Sequence, residues 1–422
     1  MYALIDGNNF YASCEKVFQP KLNGQPVVVL SNNDGCIVTL TKEAKSLGLK
    51  RGMPLFQAQD IISKERVVVF SSNYELYGDM SRRMMETISS LVPEIYIYSI
   101  DECFALLNDV TNLTELGFQI RARVLQWVGI PTCVGIAPTK TLAKFCNHLA
   151  KRYPAFKGVL NWNDLSRERQ RKAMSLESIE NVWGIGRGLA KRLNTLGIET
   201  VLDLINFPAS QLRAYFPVTL LRTVQELNGI EAIEFEFDIE DRQQVLRSRS
   251  FSREVYELEQ IQSAIAMHAE EAAKILRAKH QCCHSISTFI YSNRFKPEAG
   301  NHNGYDTYSL IHPINDTTTI RNIAVKLTRN CWKHGIGYKK AGVILQGLEK
   351  ETDTTLDLFS PQENLRKQKL SAVIDQLNAR WGKGTIQSAL ILSPKKDWQM
   401  KREHLSPSYT TRWNDVTLCL LK

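Results

Sequence analysis

Three carboxylates stand where a chain burying itself would not put them. Asp101 and Glu102 are consecutive in Ile95-Tyr-Ile-Tyr-Ser-Ile-Asp-Glu-Cys-Phe-Ala-Leu-Leu107, an aromatic and β-branched run with the character of a buried strand. Asp6 closes Met1-Tyr-Ala-Leu-Ile-Asp6, a short apolar strand followed at once by Gly7-Asn8-Asn9. Unpaired acids in such strands are costly to desolvate, so either cations compensate them or the strand ends open into a polar site. If the two ends meet, Asp6, Asp101 and Glu102 supply the oxygen-rich, partly hydrated surroundings that Mg²⁺ prefers. Two such ions could clamp the attacking and leaving oxygens of a phosphoryl transfer. The alternative is a turn at Asp6 and a solvated strand end at Asp101-Glu102, and spacing alone leaves both readings open.

The elements that must position these acids follow an α/β pattern. Residues 1–15 and about 68–165 alternate strands (Val67-Phe70, Ile95-Ile100, Thr132-Ile136) with helical stretches such as Leu116-Val128 and Thr139-Ala150. Between them, 16–67 hold the strands Val27-Leu30 and Cys36-Leu40 and a lysine-bearing segment. At 422 residues the chain exceeds the roughly 250–300 at which one hydrophobic core stops growing, so several domains are expected. A net charge of +9 favours a polyanionic partner. From Pro361 to Lys422 eleven Lys or Arg stand against five Asp or Glu, which is +6 of that +9, so the tail is a basic module. DNA contact, docking to an acidic protein and a solvated surface are its three readings. The nine cysteines are dispersed, odd in number and mostly flanked by apolar residues, as reduced core thiols are. His280-Gln-Cys-Cys-His284 lacks a second ligand pair at zinc-finger spacing, so no structural zinc is expected. No basic N-terminal region precedes an apolar stretch and no run approaches the ~18 apolar residues of a membrane span, so the expected location is cytoplasmic.

The segments Asp6-Gly-Asn-Asn-Phe-Tyr-Ala-Ser-Cys-Glu15 and Tyr98-Ser-Ile-Asp-Glu-Cys-Phe104 resemble the two catalytic motifs of Y-family, lesion-bypass DNA polymerases. Further similarity runs through Ser31-Asn-Asn-Asp-Gly-Cys36, Phe70-Ser-Ser-Asn-Tyr-Glu-Leu-Tyr77, Gly135-Ile-Ala-Pro-Thr-Lys-Thr-Leu-Ala-Lys144 and Val182-Trp-Gly-Ile-Gly186. It points to the UmuC-type, polymerase V branch or its mobile-element relatives. The resemblance implies a multidomain α/β right hand: a palm of 1–15 and 68–165, small fingers at 16–67, and a thumb with a helix-hairpin-helix at 166–233. A little finger at 242–348, a clamp-binding linker at 349–360 and a partner-binding extension at 361–422 would follow. It further implies an error-prone, template-directed DNA polymerase of the SOS DNA-damage response, adding deoxynucleotide triphosphates to primer-template DNA with two Mg²⁺ ions. Asp6 and Asp101 carry over as ligands shared by both metals, Glu102 as a ligand of the metal at the primer terminus, and Gly7 as a further metal-site residue.

Tyr11 then falls at the steric-gate position, with Phe10 beside it, where a nucleotide's 2′-hydroxyl would collide with its ring. Many relatives place a tyrosine and an arginine on the triphosphate. Here those positions hold Lys42 and Lys45, which keep the charge without the planar fork. Lys151 matches a third phosphate-contacting position, and each of the three could equally be an exposed helix lysine. Cys36 and Val38, with Thr39 next to them, fall over the nascent base pair. Their small size leaves a roomy lid and predicts low fidelity. Gly184 and Gly186 allow a tight turn that can approach a DNA phosphate without reading sequence.

In Val245-Leu-Arg-Ser-Arg-Ser-Phe-Ser-Arg-Glu254 strand alternation puts Arg247, Arg249, Phe251 and Arg253 on one face, a strip able to grip a DNA backbone. Leu356, Leu358 and Phe359 lie in a polar linker with no helix to bury them and resemble a sliding-clamp-binding peptide, with Thr355 where glutamine usually opens the motif. The tail around Gln399–Arg412 resembles the UmuC-type extension, which implies contacts with a UmuD′-type dimer and RecA. A metal-dependent nuclease using the same acids and a catalytically silent DNA-binding scaffold are the rival readings. The nucleotide-site lysines and Tyr11 favour synthesis over cutting.

Overall fold

The computed structural model describes the chain except residues 109, 235–242, 297, 299, 354–362, 383, 393–397 and 417–422. Two compact units make it up: Met1–Phe237 with Glu403–Lys422, and Asp238–Arg402. In the first, eight strands run in chain order as β1 (Tyr2–Gly7), β2 (Val27–Leu30), β3 (Ile37–Leu40), β4 (Val68–Ser71), β5 (Glu94–Ile97), β6 (Glu102–Leu106), β7 (Thr132–Ala137) and β8 (Val159–Asn161). The main sheet has the order β5-β6-β1-β7-β8, and β3-β2-β4 form a separate three-stranded sheet.

β1 lies at the centre of the main sheet, antiparallel to β6 on one side and β7 on the other. Its unbroken apolar run is therefore buried on both faces, as a central strand covered by helices on each side requires. Tyr2 and Leu4 pack with the Lys140–Arg152 helix, whereas Ala3 and Ile5 pack with the Tyr74–Ser89 and Leu113–Val128 helices. Gly135 of β7 sets the first of these contacts. A Cβ there would lie 2.2 Å from both the Ala143 carbonyl and the Asn147 amide, so the helix touches the strand at backbone distance. Asn147 then donates its side-chain amide to the carbonyls of Leu4 (3.2 Å) and Cys133 (2.8 Å). This fixes the rotation of the helix that carries Lys144 and Lys151.

The expected single strand Ile95-Ile100 is instead a hairpin: β5 ends at Ile97 and β6 starts at Glu102. The reversal has a local cause. Ser99 Oγ accepts from the amides of Asp101 and Glu102 (3.2 Å each) and donates to Asp101 Oδ1 at 2.6 Å, a side-chain-made turn. Asp101 thus sits in the turn and Glu102 opens the returning strand, both half-buried rather than enclosed in a strand interior.

In the second unit, β9 (Gln244–Val255), β10 (Gln281–Ser292), β11 (Asn303–Ile314) and β12 (Tyr338–Lys350) form an antiparallel sheet of order β11-β10-β12-β9. Helices Leu258–Ala278 and Thr317–Cys331 share one core with it. That core lies against the arginine strip. Phe251, on the same alternation face as Arg247 and Arg249, is fully buried in it, and Arg247 Nη2 pairs with Glu271 Oε2 of the covering helix at 2.7 Å. The face bearing these arginines is the one the helices pack against, with Arg247 and Arg249 half-buried on it and Arg253 exposed.

All eight described cysteines are free thiols, and all but Cys36 are buried. Cys419 lies outside the described residues. Among those residues no helix is long and apolar enough to cross a membrane.

Candidate active site

Strand pairing brings the three acids together at one end of the paired strands β1 and β6. Asp6 stands opposite Glu102 in the β1–β6 register, and the Gly7 amide donates to the Asp101 carbonyl at 2.8 Å, tying the turn to the end of β1. Each strand partner also holds a cation from the Lys140–Arg152 helix. Lys151 Nζ lies 2.5 Å from Asp6 Oδ1 and Lys144 Nζ 2.7 Å from Glu102 Oε1. The Lys144 ammonium also faces the rings of Tyr98 (4.5 Å) and Trp183 (5.2 Å). Burial drives the Asp6 carboxyl up to about 6 against the pull of Lys151, and the neighbouring Asp101 and Glu102 add to the rise.

Among the described residues no three His, Cys, Asp or Glu side chains are grouped so as to hold an ion as they stand, with lysines on two of the acids. The donor chemistry nonetheless fits a hard divalent cation: three carboxylates at one strand end, one of them raised by burial and, to a lesser degree, by its acidic neighbours. The two ammonium groups mark where positive charge is wanted.

Asn9, in the left-handed conformation (φ 48°), turns the chain from β1 into the Phe10–Phe18 helix. Phe10 is buried, and Tyr11 is half-buried beside the acids. The Tyr11 ring stacks on Tyr77 (centroids 4.4 Å, 15°) and meets Tyr74 edge-on (6.0 Å). Asp6, Gly7, Phe10, Tyr11, Val38, Thr39, Arg51, Asp101 and Lys151 line one cleft of about 320 Å³. Cys36, half-buried and bridged to Pro54, is not part of that lining.

A second cleft of about 670 Å³ shares Asn9, Leu40, Arg51 and Lys151 with the first and adds Lys42, Lys45, Lys50, Arg121 and Lys157. Lys42 and Lys45 come from one turn of the Lys42–Ser46 helix, whose first turn Thr41 Oγ1 caps. The acids therefore open beside a strongly cationic trough. Sequence reasoning missed Arg51, which lines both clefts, and Lys144. The adjacent basic pair Lys50-Arg51 before Gly52 was the available signal for the first, and the helical spacing of Lys144 and Lys151 for the second.

Gly184 has a positive φ of 87°, which suits glycine alone, while Gly186 opens the Arg187–Asn194 helix with an ordinary φ of −81°. The turn joins that helix to a 3₁₀ turn, Ile179–Asn181, in place of the first full helix of the expected hairpin. Leu356, Leu358 and Phe359 lie outside the described residues.

The tail does something that no local pattern announces. Glu403, His404 and Ser406 pack within the first unit against Asp34, Ser71 and Asn73, and Tyr409 stacks on Phe18 at 4.7 Å.

Comparison with known proteins follows the same layout. Residues 5–148 match the impB/mucB/samB family, 242–358 its C-terminal domain, and 368–417 a domain of unknown function. The chain is 44% identical to Protein UmuC of Salmonella typhimurium over 99% of both chains, and 39% identical to Protein ImpB of the same organism over 100% of both. It is 25% identical to DNA polymerase IV of Oceanobacillus iheyensis, over 91% of this chain and 90% of that one. Among solved structures, a Dbh–Dpo4 chimeric Y-family DNA polymerase superposes with a TM-score of 0.64 at 21% identity. That match spans 83% of this chain and 99% of the chimera.

Proposed function

The chain belongs to the impB/mucB/samB family of Y-family translesion DNA polymerases, and from that premise we propose how its own residues perform template-directed DNA synthesis. The observation that carries the proposal is the register of β1 on β6, which sets Asp6 against Glu102 with Asp101 tied to Gly7. Asp6 and Asp101 would be shared by two Mg²⁺ ions, with Glu102 at the primer side and Gly7 contributing from its backbone. Bound there, the ions supply Lewis-acid stabilisation of the attacking 3′-hydroxyl and the departing pyrophosphate oxygen.

The remaining roles belong to side chains around the acids. Lys151 and Lys144 neutralise the carboxylates before substrate enters. With substrate bound, Lys151 shares its charge with the triphosphate, which lies along the trough of Lys42, Lys45 and Arg51. Tyr11, backed by Tyr77, sits where the sugar edge falls and excludes a 2′-hydroxyl by volume. Val38 and Thr39 supply small surfaces over the nascent pair, a loose lid that tolerates damaged templates at the expense of fidelity. Phosphate contacts by Gly184, Gly186 and Arg249 are the reading for duplex grip; Arg247 would first have to leave Glu271. We further assign the enzyme to the SOS response, with a UmuD′-type dimer, RecA and the sliding clamp as partners.

Primer extension tests the reading. Purified protein with Mg²⁺ should add deoxynucleotides in template order, both on intact DNA and opposite a lesion. Release of mononucleotides without extension would identify a nuclease, and retained DNA binding without either product a scaffold.

A further inference from the structure

We propose that the C-terminal segment Glu403–Asp415 is a positioning element of the nucleotide pocket, acting on Tyr11 through a relay of Ser406, Glu15 and Tyr77. The proposal rests on the reading of Tyr11 as the sugar-excluding ring.

Each link is a direct contact. Asn73 Nδ2 donates to the Ser406 carbonyl and hydroxyl (3.1 Å each), fixing the Ser406 rotamer. Ser406 Oγ in turn donates to Glu15 Oε1 at 2.9 Å, and Tyr77 donates its hydroxyl to the same oxygen at 2.7 Å. Tyr77 then lies flat against Tyr11. The relay is dry: Glu15 and Tyr77 are fully buried, Asn73 and Ser406 nearly so. A carboxyl oxygen out of water that accepts two hydroxyls holds both donors firmly, because neither has solvent to turn to.

The tail is docked on both sides of this point. Upstream, the Glu403 amide donates to Asp34 Oδ2 (2.9 Å), and His404 and Ser71 exchange hydrogen bonds of 3.0 and 2.9 Å. Downstream, Tyr409 stacks on Phe18 and accepts from Gln19, at the far end of the helix that begins with Phe10 and Tyr11. The segment therefore braces Tyr11 from both its ring partner and its own helix. A ring that excludes by volume works only if it cannot yield. Loosening Tyr77 lets Tyr11 retreat, which relieves the collision with a 2′-hydroxyl while leaving the deoxynucleotide contact largely unaltered.

The test is the ratio of kcat/KM for a deoxynucleotide to that for the matching ribonucleotide, in the full chain. Ser406→Ala cuts the relay from the tail side, and Tyr77→Phe cuts it at the phenol while keeping the stacked ring. Each should lower the ratio by about three- to tenfold, the worth of one ordinary buried hydrogen bond. The double variant should fall no further than the worse single one, since both act through Glu15. Tyr11→Ala serves as the reference. If it relaxes sugar choice while both relay variants keep the ratio within about twofold, or lower both rate constants in proportion, the relay is refuted and the gate stands. If Tyr11→Ala leaves sugar choice unchanged, the gate reading itself fails. Should Ser406→Ala melt below the assay temperature, Tyr77→Phe, which leaves the tail contacts in place, decides the matter.

Discussion

Glu15→Gln should change how stability depends on pH, and the structure gives the size. Glu15 is fully buried, its Oε1 accepts from Tyr77 and Ser406, and its Oε2 has no partner among the described residues. Burial, only partly offset by those two hydrogen bonds, raises the carboxyl from 4.5 to about 7. The folded protein thus holds this proton more tightly than the unfolded chain does. Its contribution is fully present below pH 4.5, declines as pH rises towards 7, and is gone above that. At about 1.4 kcal/mol per pH unit the loss amounts to about 3 kcal/mol. Glutamine keeps an accepting oxygen for both hydroxyls and cannot ionise, so it escapes the loss. Asp6, whose carboxyl is also raised, is common to both proteins and cancels. The assay is thermal unfolding of parent and variant at matched ionic strength from pH 4.5 to 8. At about 2–4 °C per kcal/mol for a unit of this size, the melting-temperature difference should move by roughly 6–12 °C in favour of the glutamine variant across that range. Parallel curves would mean that Glu15 is not a dry, protonatable carboxyl, and the relay's firmness would lose its physical basis.

Three further outcomes are expected. Gly135→Ala places a methyl 2.2 Å from two backbone atoms of the Lys140–Arg152 helix, so it should cost about 3 kcal/mol or more and be visible in chemical denaturation; a neutral effect would show that the helix can slide. Lys42→Ala and Lys45→Ala should each raise KM for the incoming nucleotide several-fold, less at high salt, with primer-template affinity unchanged; equal loss of DNA affinity would put these lysines on the duplex. A double-mutant cycle on Arg247 and Glu271, partly exposed, should give a coupling of about 0.2–1 kcal/mol. No coupling at all would free Arg247 for phosphate.

The acidic centre was legible because carboxylates among apolar, β-branched neighbours are expensive and so draw attention. The hairpin between them was not. Tyr98, Ser99 and Ile100 include no Gly, Pro or Asn, and the reversal depends on one serine hydroxyl, two backbone bonds from Tyr98 and Ser99 to the Glu102 carbonyl, and pairing with a strand about a hundred residues away. For β9, period-2 counting groups Arg247, Arg249 and Phe251 correctly, but alternation does not say which face is dry. The aromatic decides, and two arginines outweighed it. The tail was opaque for another reason. Residues 403–415 are polar, irregular and interrupted by Pro407, and their contacts with Glu15, Asp34 and Asn73 span more than 300 positions, beyond the reach of any local pattern.

The whole account turns on Asp6, Asp101 and Glu102 acting as one ion-holding centre. The most direct measurement is single-nucleotide extension by Asp101→Asn alongside its primer-template affinity. Replacing one anionic ligand shared by two cations should remove several kcal/mol of transition-state stabilisation, a loss on the order of a thousandfold in kcat, with DNA binding retained. Extension within about tenfold of the parent would contradict the centre.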